Sequence, residues 1–297
     1  MAHNLKPIED QVFVITGASS GIGLATAMAA AEQGAKLALI ARSDETLDQI
    51  VSAIESEGGE ALAIVLDVAD QDAVFNAADQ VVARFGRIDT WVNNAGVAIY
   101  GRIEEISDAD NRRLFETNFW GVVYGSLAAL PYLKQSGGAL INVGSEVSEA
   151  VVPLQGMYST SKHAVKGFTD ALRVETELVE EAPVSISLIQ PTAVNTPYPQ
   201  HARNYMDKEP KLPTPQIDPH QVAEAIIDAA TRGGRDIKVG AMSKMNTLMA
   251  TLMPRLADRM SAMQATRQQR DERPRNPQGT LFEPGYSGRT YGTSPTE

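Results

Sequence analysis

The sequence predicts an α/β fold, a doubly wound parallel sheet of seven strands with helices on both faces. Three observations predict it. Short β-branched apolar runs alternate with Ala-rich or amphipathic stretches along most of the 297 residues. The runs are apolar on nearly every residue, as strands covered by helices on both faces must be. Glycines and helix-capping residues stand where one pattern gives way to the other.

The elements follow in order. QVFVITG (11–17) is the first strand, and the Ala-rich GIGLATAMAAAEQG (21–34), stopped by glycine, is the helix after it. AKLALIAR (35–42) is the second strand, followed by a helix that opens near Ser43 and Asp44 and closes at Gly58 and Gly59. EALAIVLDV (60–68) is the third strand and DAVFNAADQVVARFG (72–86) its helix. RIDTWVNNAG (87–96) is the fourth strand, with a long helix from the Ser-x-x-Asp start at Ser107 to about residue 135. GALINVGS (138–145) is the fifth strand, and a helix runs from about Met157 to Glu181. VSISLIQP (184–191) is the sixth strand. A helix capped by Asp218, with Pro219 in its first turn, leads to RDIKVG (235–240), the seventh.

Two segments stand outside this alternation. The proline-rich stretch 195–219 reads as a long loop, and such a loop inside a compact domain is usually functional, often a lid. After Gly240, Met242, Met245, Leu248, Met249, Leu252, Leu256, Met260 and Met263 recur at helical spacing, interrupted by Pro254. Residues 1–240 therefore read as one α/β domain and 241–297 as an appended amphipathic helical segment with an Arg/Pro/Gly-rich tail. The helical part is expected on its own domain or a second subunit, with peripheral membrane contact as a lesser alternative. The final thirty residues are expected to be partly disordered.

Composition narrows the function. With 43% hydrophobic and 21% charged residues, and no apolar run near the ~18 residues of a membrane span, a water-soluble protein is expected. The start MAHNLKPIEDQ lacks the apolar core of a secretory signal, and the chain has no cysteine, so a cytoplasmic location is expected. A net charge of -11 disfavours nucleic acid as a partner.

Chemistry is concentrated in a few places. The turn TGASSGIG (16–23) joins a strand to a helix, where glycines let backbone N–H groups approach a pyrophosphate. Its glycines at 17, 21 and 23 are spaced G-x-x-x-G-x-G rather than G-x-G-x-x-G. In MYSTSK (157–162), Tyr158 precedes Lys162 by four residues, which puts both side chains on one helix face.

Taken with NNAG (93–96), Asn118 and Ser145, these motifs resemble the short-chain dehydrogenase/reductase family over roughly residues 8–240. The resemblance implies a Rossmann-like fold and an oxidoreductase, with residues 1–240 as its dinucleotide-binding catalytic domain. It makes Tyr158 the general acid or base and Lys162 the group that lowers its pKa and holds the nicotinamide ribose. It has Ser145 position the substrate carbonyl and Asn118 support a proton-relay water. It also implies cofactor contacts from Gly17, Ser19, Ser20, Gly21, Ile22 and Gly23, then from Arg42, Ser43, Asp67, Val68, Asn94, Ala95 and Gly96. The contacts continue with Tyr158, Lys162, Pro191, Thr192, Val194 and Thr196. Asp67 resembles the adenine-contacting aspartate, and Thr196 the residue that bonds the nicotinamide carboxamide.

The chemistry agrees with these roles. A phenol titrates near ~10 in water and serves as a base near neutrality only when a neighbouring cation favours phenolate. Hydrogen bonds from Tyr158 and Ser145 would stabilise the oxygen on which charge develops during carbonyl reduction. At the end of the second strand stand Ala41 and Arg42 in place of a carboxylate, so NADP(H) is expected, with NAD(H) as the alternative and Asp44 as its potential ribose ligand. Thr192 stands where the family usually has glycine, which puts substrate class in doubt. Glu146, Glu149 and His163 read as solvated or pocket-rim residues, and no metal site is expected. Tyr198, Tyr205, Met206 and the prolines suggest a mainly apolar pocket lid.

The function expected is interconversion of a ketone or aldehyde and an alcohol by direct hydride transfer. The alternative is a non-catalytic NADP(H) sensor or scaffold that engages a partner through its C-terminal segment. The long helices at 107–135 and 157–181 resemble those through which family members form dimers or tetramers, so a homo-oligomer is expected.

Overall fold

A computed structural model of the chain describes residues 4–285 and 288–292. The first half alternates β1 (Val12–Thr16), α1 (Gly21–Glu32), β2 (Lys36–Ala41), α2 (Asp44–Ser56), β3 (Glu60–Val65), α3 (Gln71–Phe85) and β4 (Thr90–Asn93). The second half adds β5 (Ile99–Tyr100), α4 (Asp108–Phe115), α5 (Gly121–Ser136), β6 (Ala139–Val143), α6 (Gly156–Arg173) and β7 (Ser185–Pro191). Next come α7 (Tyr198–His201), β8 (Arg203–Asn204), α8 (Pro219–Arg232), β9 (Asp236–Val239), α9 (Ala241–Leu252) and α10 (Pro254–Ala262).

The seven expected strands form one parallel sheet in the order β3-β2-β1-β4-β6-β7-β9. Side chains of β1 divide by the two-residue period of a strand. Phe13 and Ile15 pack on one face with Leu24 of α1, Ile50 of α2 and Ile226 of α8. Val12 and Val14 pack on the other with Val81 of α3 and Leu133 of α5. Each such side chain, fully withdrawn from water, contributes roughly 1.5–3 kcal/mol. Caps fall where the sequence puts them: Ser107 Oγ accepts from Asp110 N, and Asp218 Oδ1 accepts from His220 N behind Pro219. The strand order reverses direction between β1 and β4, which opens a crevice at the carboxyl ends of those strands.

Four expectations change in detail. The long helix from Ser107 is α4 and α5 joined by a π turn at Glu116–Trp120, and the helix expected to reach Glu181 is α6 followed by another at Val174–Val179. A π turn adds one residue to the helical register, which hydrophobic periodicity does not show. The stretch 195–219 is not all loop, since it holds α7 and the two residues of β8, which pair in parallel with β5. Pro254 does not merely interrupt a helix but opens α10.

α9 lies against the sheet domain, where Ser243 Oγ donates to Gln190 O at 2.7 Å with both groups buried. Its outward side and α10 leave Leu248, Leu252, Leu256 and Met263 exposed. The final thirty residues, expected to be partly disordered, are laid along the crevice as far as they are described; positions 286–287 and 293–297 of that expectation lie outside the described residues.

Candidate active site

The crevice leads into a cavity of about 300 Å³ that runs from the first glycine turn to the start of α6. Gly17 holds a left-handed φ of +68°, and a Cβ there would lie 2.8 Å from Ala95 Cα, so the turn needs glycine to pass beneath the end of β4. Asn94 stitches the two together: its Nδ2 donates to Thr16 O at 3.0 Å and Gly17 O at 3.2 Å. This leaves the N-terminus of α1 facing the cavity, where amide groups and helix dipole favour an anion.

At the far end, β6 finishes at Val143 and the chain turns through Gly144 to Ser145. Ser145 Oγ accepts from Val147 N at 3.3 Å, which orients the hydroxyl. From α6, Lys162 Nζ donates to Val143 O at 2.8 Å and lies 5.8 Å from the centre of the Tyr158 ring. Tyr158, one turn earlier on the same face, packs edge-on against Tyr198 with ring centres 5.5 Å apart.

Burial governs both ionisable groups. It pushes the Tyr158 hydroxyl up to about 12, with the charge of Glu146 adding to the rise and hydrogen bonds linking it to Tyr198 and Ser145 working against it. It pulls the Lys162 ammonium down to about 8. The expected lowering of Tyr158 by Lys162 is therefore outweighed in this cavity, because the ammonium is itself desolvated and turned toward the Val143 carbonyl. Near neutral pH the phenol is a proton donor.

Asn118 does not line the cavity. It sits fully buried in the first π turn, where its Oδ1 accepts from Val97 N at 2.8 Å and its Nδ2 donates to Val97 O and Ser161 Oγ. It thus ties the segment after β4 to α6, directly behind Lys162. Gly23 also stands behind the wall, with a hypothetical Cβ 2.2 Å from Gly17 O. The other expected cofactor residues, together with Ser145, all face the cavity.

At the end of β2, Arg42 faces the cavity and Asp44 does not, since Asp44 begins α2. The Asp67 carboxylate is paired with Arg113 and accepts from Ala69 N. Thr192 continues β7, its amide donating to Val239 O at 3.1 Å, and its methyl packs on Gly240. The implied nicotinamide dinucleotide fits these residues, since the positive end of α1, whose Gly21 amide alone is taken by Arg289 O, and a cradle that a Cβ on Gly17 would fill suit a pyrophosphate.

Gln155, Gln268 and Asn246 take part without any sequence signal. Tyr198 Oη donates to Gln155 Oε1 at 2.8 Å, and Gln155 Nε2 donates to Gln268 Oε1 at 2.6 Å, so one chain of side chains runs from the cavity to the C-terminal segment. Glu146 is half-buried at the rim of the cavity, accepts from Asn246 Nδ2 at 3.0 Å, and is held above the usual carboxylate range by desolvation. Glu149 accepts from Gln190 and Lys238, and His163 Nδ1 bonds Ser159 O. Tyr205 and Met206 do not form the lid; Tyr205 Oη donates to Asp110, and Met206 packs beside Tyr100 and Ala202. Tyr198, Pro197 and Pro213 of the expected lid do line the cavity, and Val147, Val152 and Leu212 complete its apolar wall.

A parallel sheet with a glycine turn at its reversal point, opening on a Ser, Tyr and Lys at the neighbouring strand end, defines a nucleotide-binding oxidoreductase. A family model described as short chain dehydrogenase matches residues 11–207. The chain belongs to the short-chain dehydrogenase/reductase family. It is 42% identical over 295 residues to the uncharacterized oxidoreductase YxnA of Bacillus subtilis, covering 98% of this chain and 83% of that one. Among solved structures it is similar to an alcohol dehydrogenase from Thermococcus sibiricus complexed with 5-hydroxy-NADP. That match has a TM-score of 0.67 and 31% identity, covering 77% of this chain and 94% of that one. It is also similar to a family member from Burkholderia phymatum in complex with NAD, with a TM-score of 0.76 and 25% identity, covering 85% and 96%.

Proposed function

We propose that this oxidoreductase uses NADP(H) to interconvert a ketone or aldehyde and an alcohol, with Tyr158 as general acid and base. The observation that carries the reading is the meeting of Ser145, Tyr158 and Lys162 on one wall of the cavity that the glycine turn opens. The nicotinamide ring, when bound, supplies or takes the hydride. Tyr158 delivers its proton to the carbonyl oxygen as negative charge develops there, and Ser145 holds that oxygen by a second hydrogen bond. Lys162 favours the phenolate left behind, and water restores its proton. Arg42, facing the cavity where an NAD-selective site carries a carboxylate, supports the preference for the 2′-phosphate.

A second cavity of about 270 Å³ adjoins the first across Glu146, Val147 and Thr192 and is walled by Met242, Met249 and Met260. Thioether side chains adapt to irregular apolar shapes, so the substrate body is apolar and the carbonyl its polar end. Exposed Trp120 and Leu127 near and on α5, and Val174 and Leu178 beyond α6, support a homo-oligomer built on those helices. No helix among the described residues is long and apolar enough to cross a membrane, and the cysteine-free composition suits the cytoplasm. A sensor that never turned over would not need this Ser, Tyr and Lys together.

The test is NADPH oxidation with a panel of apolar ketones and aldehydes, run in parallel with NADH. The parent is expected to turn over with NADPH favoured, and Tyr158→Phe to lose about 10²–10⁴-fold in kcat with NADPH affinity kept. Equal rates for parent and variant would overturn the mechanism.

A further inference from the structure

The C-terminal segment closes a side of the cavity that the sheet leaves open. Thr280, Pro284 and Gly285 line it from across the floor made by Gly17, Ser20 and Asp67. Two polar latches hold the segment. Beyond β2, the Arg42 guanidinium donates to the carbonyl oxygens of Thr280, Leu281 and Phe282, the last at 3.0 Å, and Arg113 Nε donates to Leu281 O at 3.0 Å. At α1, Gly288 N donates to Ser19 O at 2.7 Å and Gly21 N donates to Arg289 O at 2.9 Å.

An apolar anchor lies beside the first latch. Leu281 is 1% exposed and packs with Val97, Ile99, Ile106 and Leu114. Phe282, Glu283, Pro284 and Gly288, by contrast, are exposed. A segment buried at Thr280 and Leu281 and open to water along its outer side covers a cleft instead of filling it, and a cavity remains beneath it. Arg42 has five N–H donors, more than three carbonyls consume, so it can hold the segment and an anion together.

We propose that residues 280–285 and 288–292 are a strap over the bound dinucleotide, latched at Arg42 and at the N-terminus of α1, and that the cofactor leaves only when the strap opens. The inference rests on the reading of this cavity as a nicotinamide dinucleotide site. It makes Leu281 a positioning residue for cofactor retention, acting through the strap without touching the reacting atoms.

The experiment measures release of NADPH from the full chain, chased with excess NADP⁺ and followed by loss of nicotinamide fluorescence, beside equilibrium titration. Leu281→Ser and a chain ending at Gly279 are each expected to release NADPH at least 10-fold faster and to bind it correspondingly more weakly. Unchanged rates would overturn the strap. So would slower release with tighter binding, the signature of a tail that competes with the dinucleotide. Tryptic cleavage after Arg289 in the parent gives a readout free of any folding defect in the variants. Saturating NADPH is expected to slow it at least 5-fold, and equal or faster cleavage would overturn the proposal. A parent that binds neither NADPH nor NADH would overturn the dinucleotide reading itself and the strap with it.

Discussion

Lys162 Nζ donates a 2.8 Å hydrogen bond to the carbonyl of Val143, the last residue of β6. That bond fixes α6 against the strand end, so Tyr158, one turn back along α6, reaches the wall on which Ser145 stands two residues beyond Val143. The same ammonium is buried and lowered to about 8. Placement and charge are therefore tied to one atom.

Replacing Lys162 by Met should abolish the reaction and yet stabilise the fold. Its folded pKa lies below the ordinary value of 10.5, so the unfolded chain binds more protons between about 8 and 10.5. Folding then bears the full cost of the buried charge below about pH 8 and is relieved of it as pH rises toward 10.5. One pKa unit is about 1.4 kcal/mol, and a lost hydrogen bond takes back about 1 kcal/mol, leaving a gain of about 2 kcal/mol near pH 7. Thermal melts are expected to show Lys162→Met a few degrees above the parent at pH 7, with the gap closing by pH 10. Turnover should fall at least ~100-fold.

The pH profile of carbonyl reduction should report these two groups in opposite ways. Tyr158, raised to about 12, stays protonated throughout the working range, so it imposes no fall in rate below that value. Lys162 loses its charge above about 8. The expected kcat/KM for reduction is flat from pH 6 to 7.5 and declines above about 8. A decline already complete by pH 7 would contradict this assignment.

Glu146→Gln should raise stability at pH 8. Burial holds this carboxyl above its usual range, so ionising it is costlier in the folded chain than in the unfolded one. The penalty is present above the folded pKa and vanishes as pH falls below the ordinary value of 4.5, where both states are protonated. Gln keeps an oxygen for the Asn246 amide. Melting curves are expected to place the variant above the parent at pH 8 and to bring the two together as pH falls toward 4.

Gly23→Ala should damage cofactor binding without touching the cavity wall. The new Cβ would sit 2.2 Å from Gly17 O, which forces the first turn to move. Overpacking of this kind costs about 1–3 kcal/mol. The expected result is an NADPH affinity at least ~10-fold weaker by fluorescence titration, with the second cavity and its Met wall intact. Unchanged affinity would show that the turn relaxes freely.

The parallel sheet was legible because its strands are apolar on both faces and its helices carry readable ends at Ser107, Asp218 and Gly86. Tyr158 and Lys162 were legible because helical spacing sets them on one face. Asn118 was not legible from periodicity, since a π turn shifts the register that would place it. Gln155 and Gln268 left no trace either, because residues 113 positions apart meet only through folding. Thr192 was visible as a departure, but its packing on Gly240 depends on β7 and β9 being neighbours.

The amide pair of Gln155 and Gln268 has a bearing on redesign. One partner opens the helix that carries Tyr158, and the other belongs to the C-terminal segment, so grafting a foreign C-terminus onto this sheet domain would strand a buried polar group at the mouth of α6. A working chimera has to exchange both positions together.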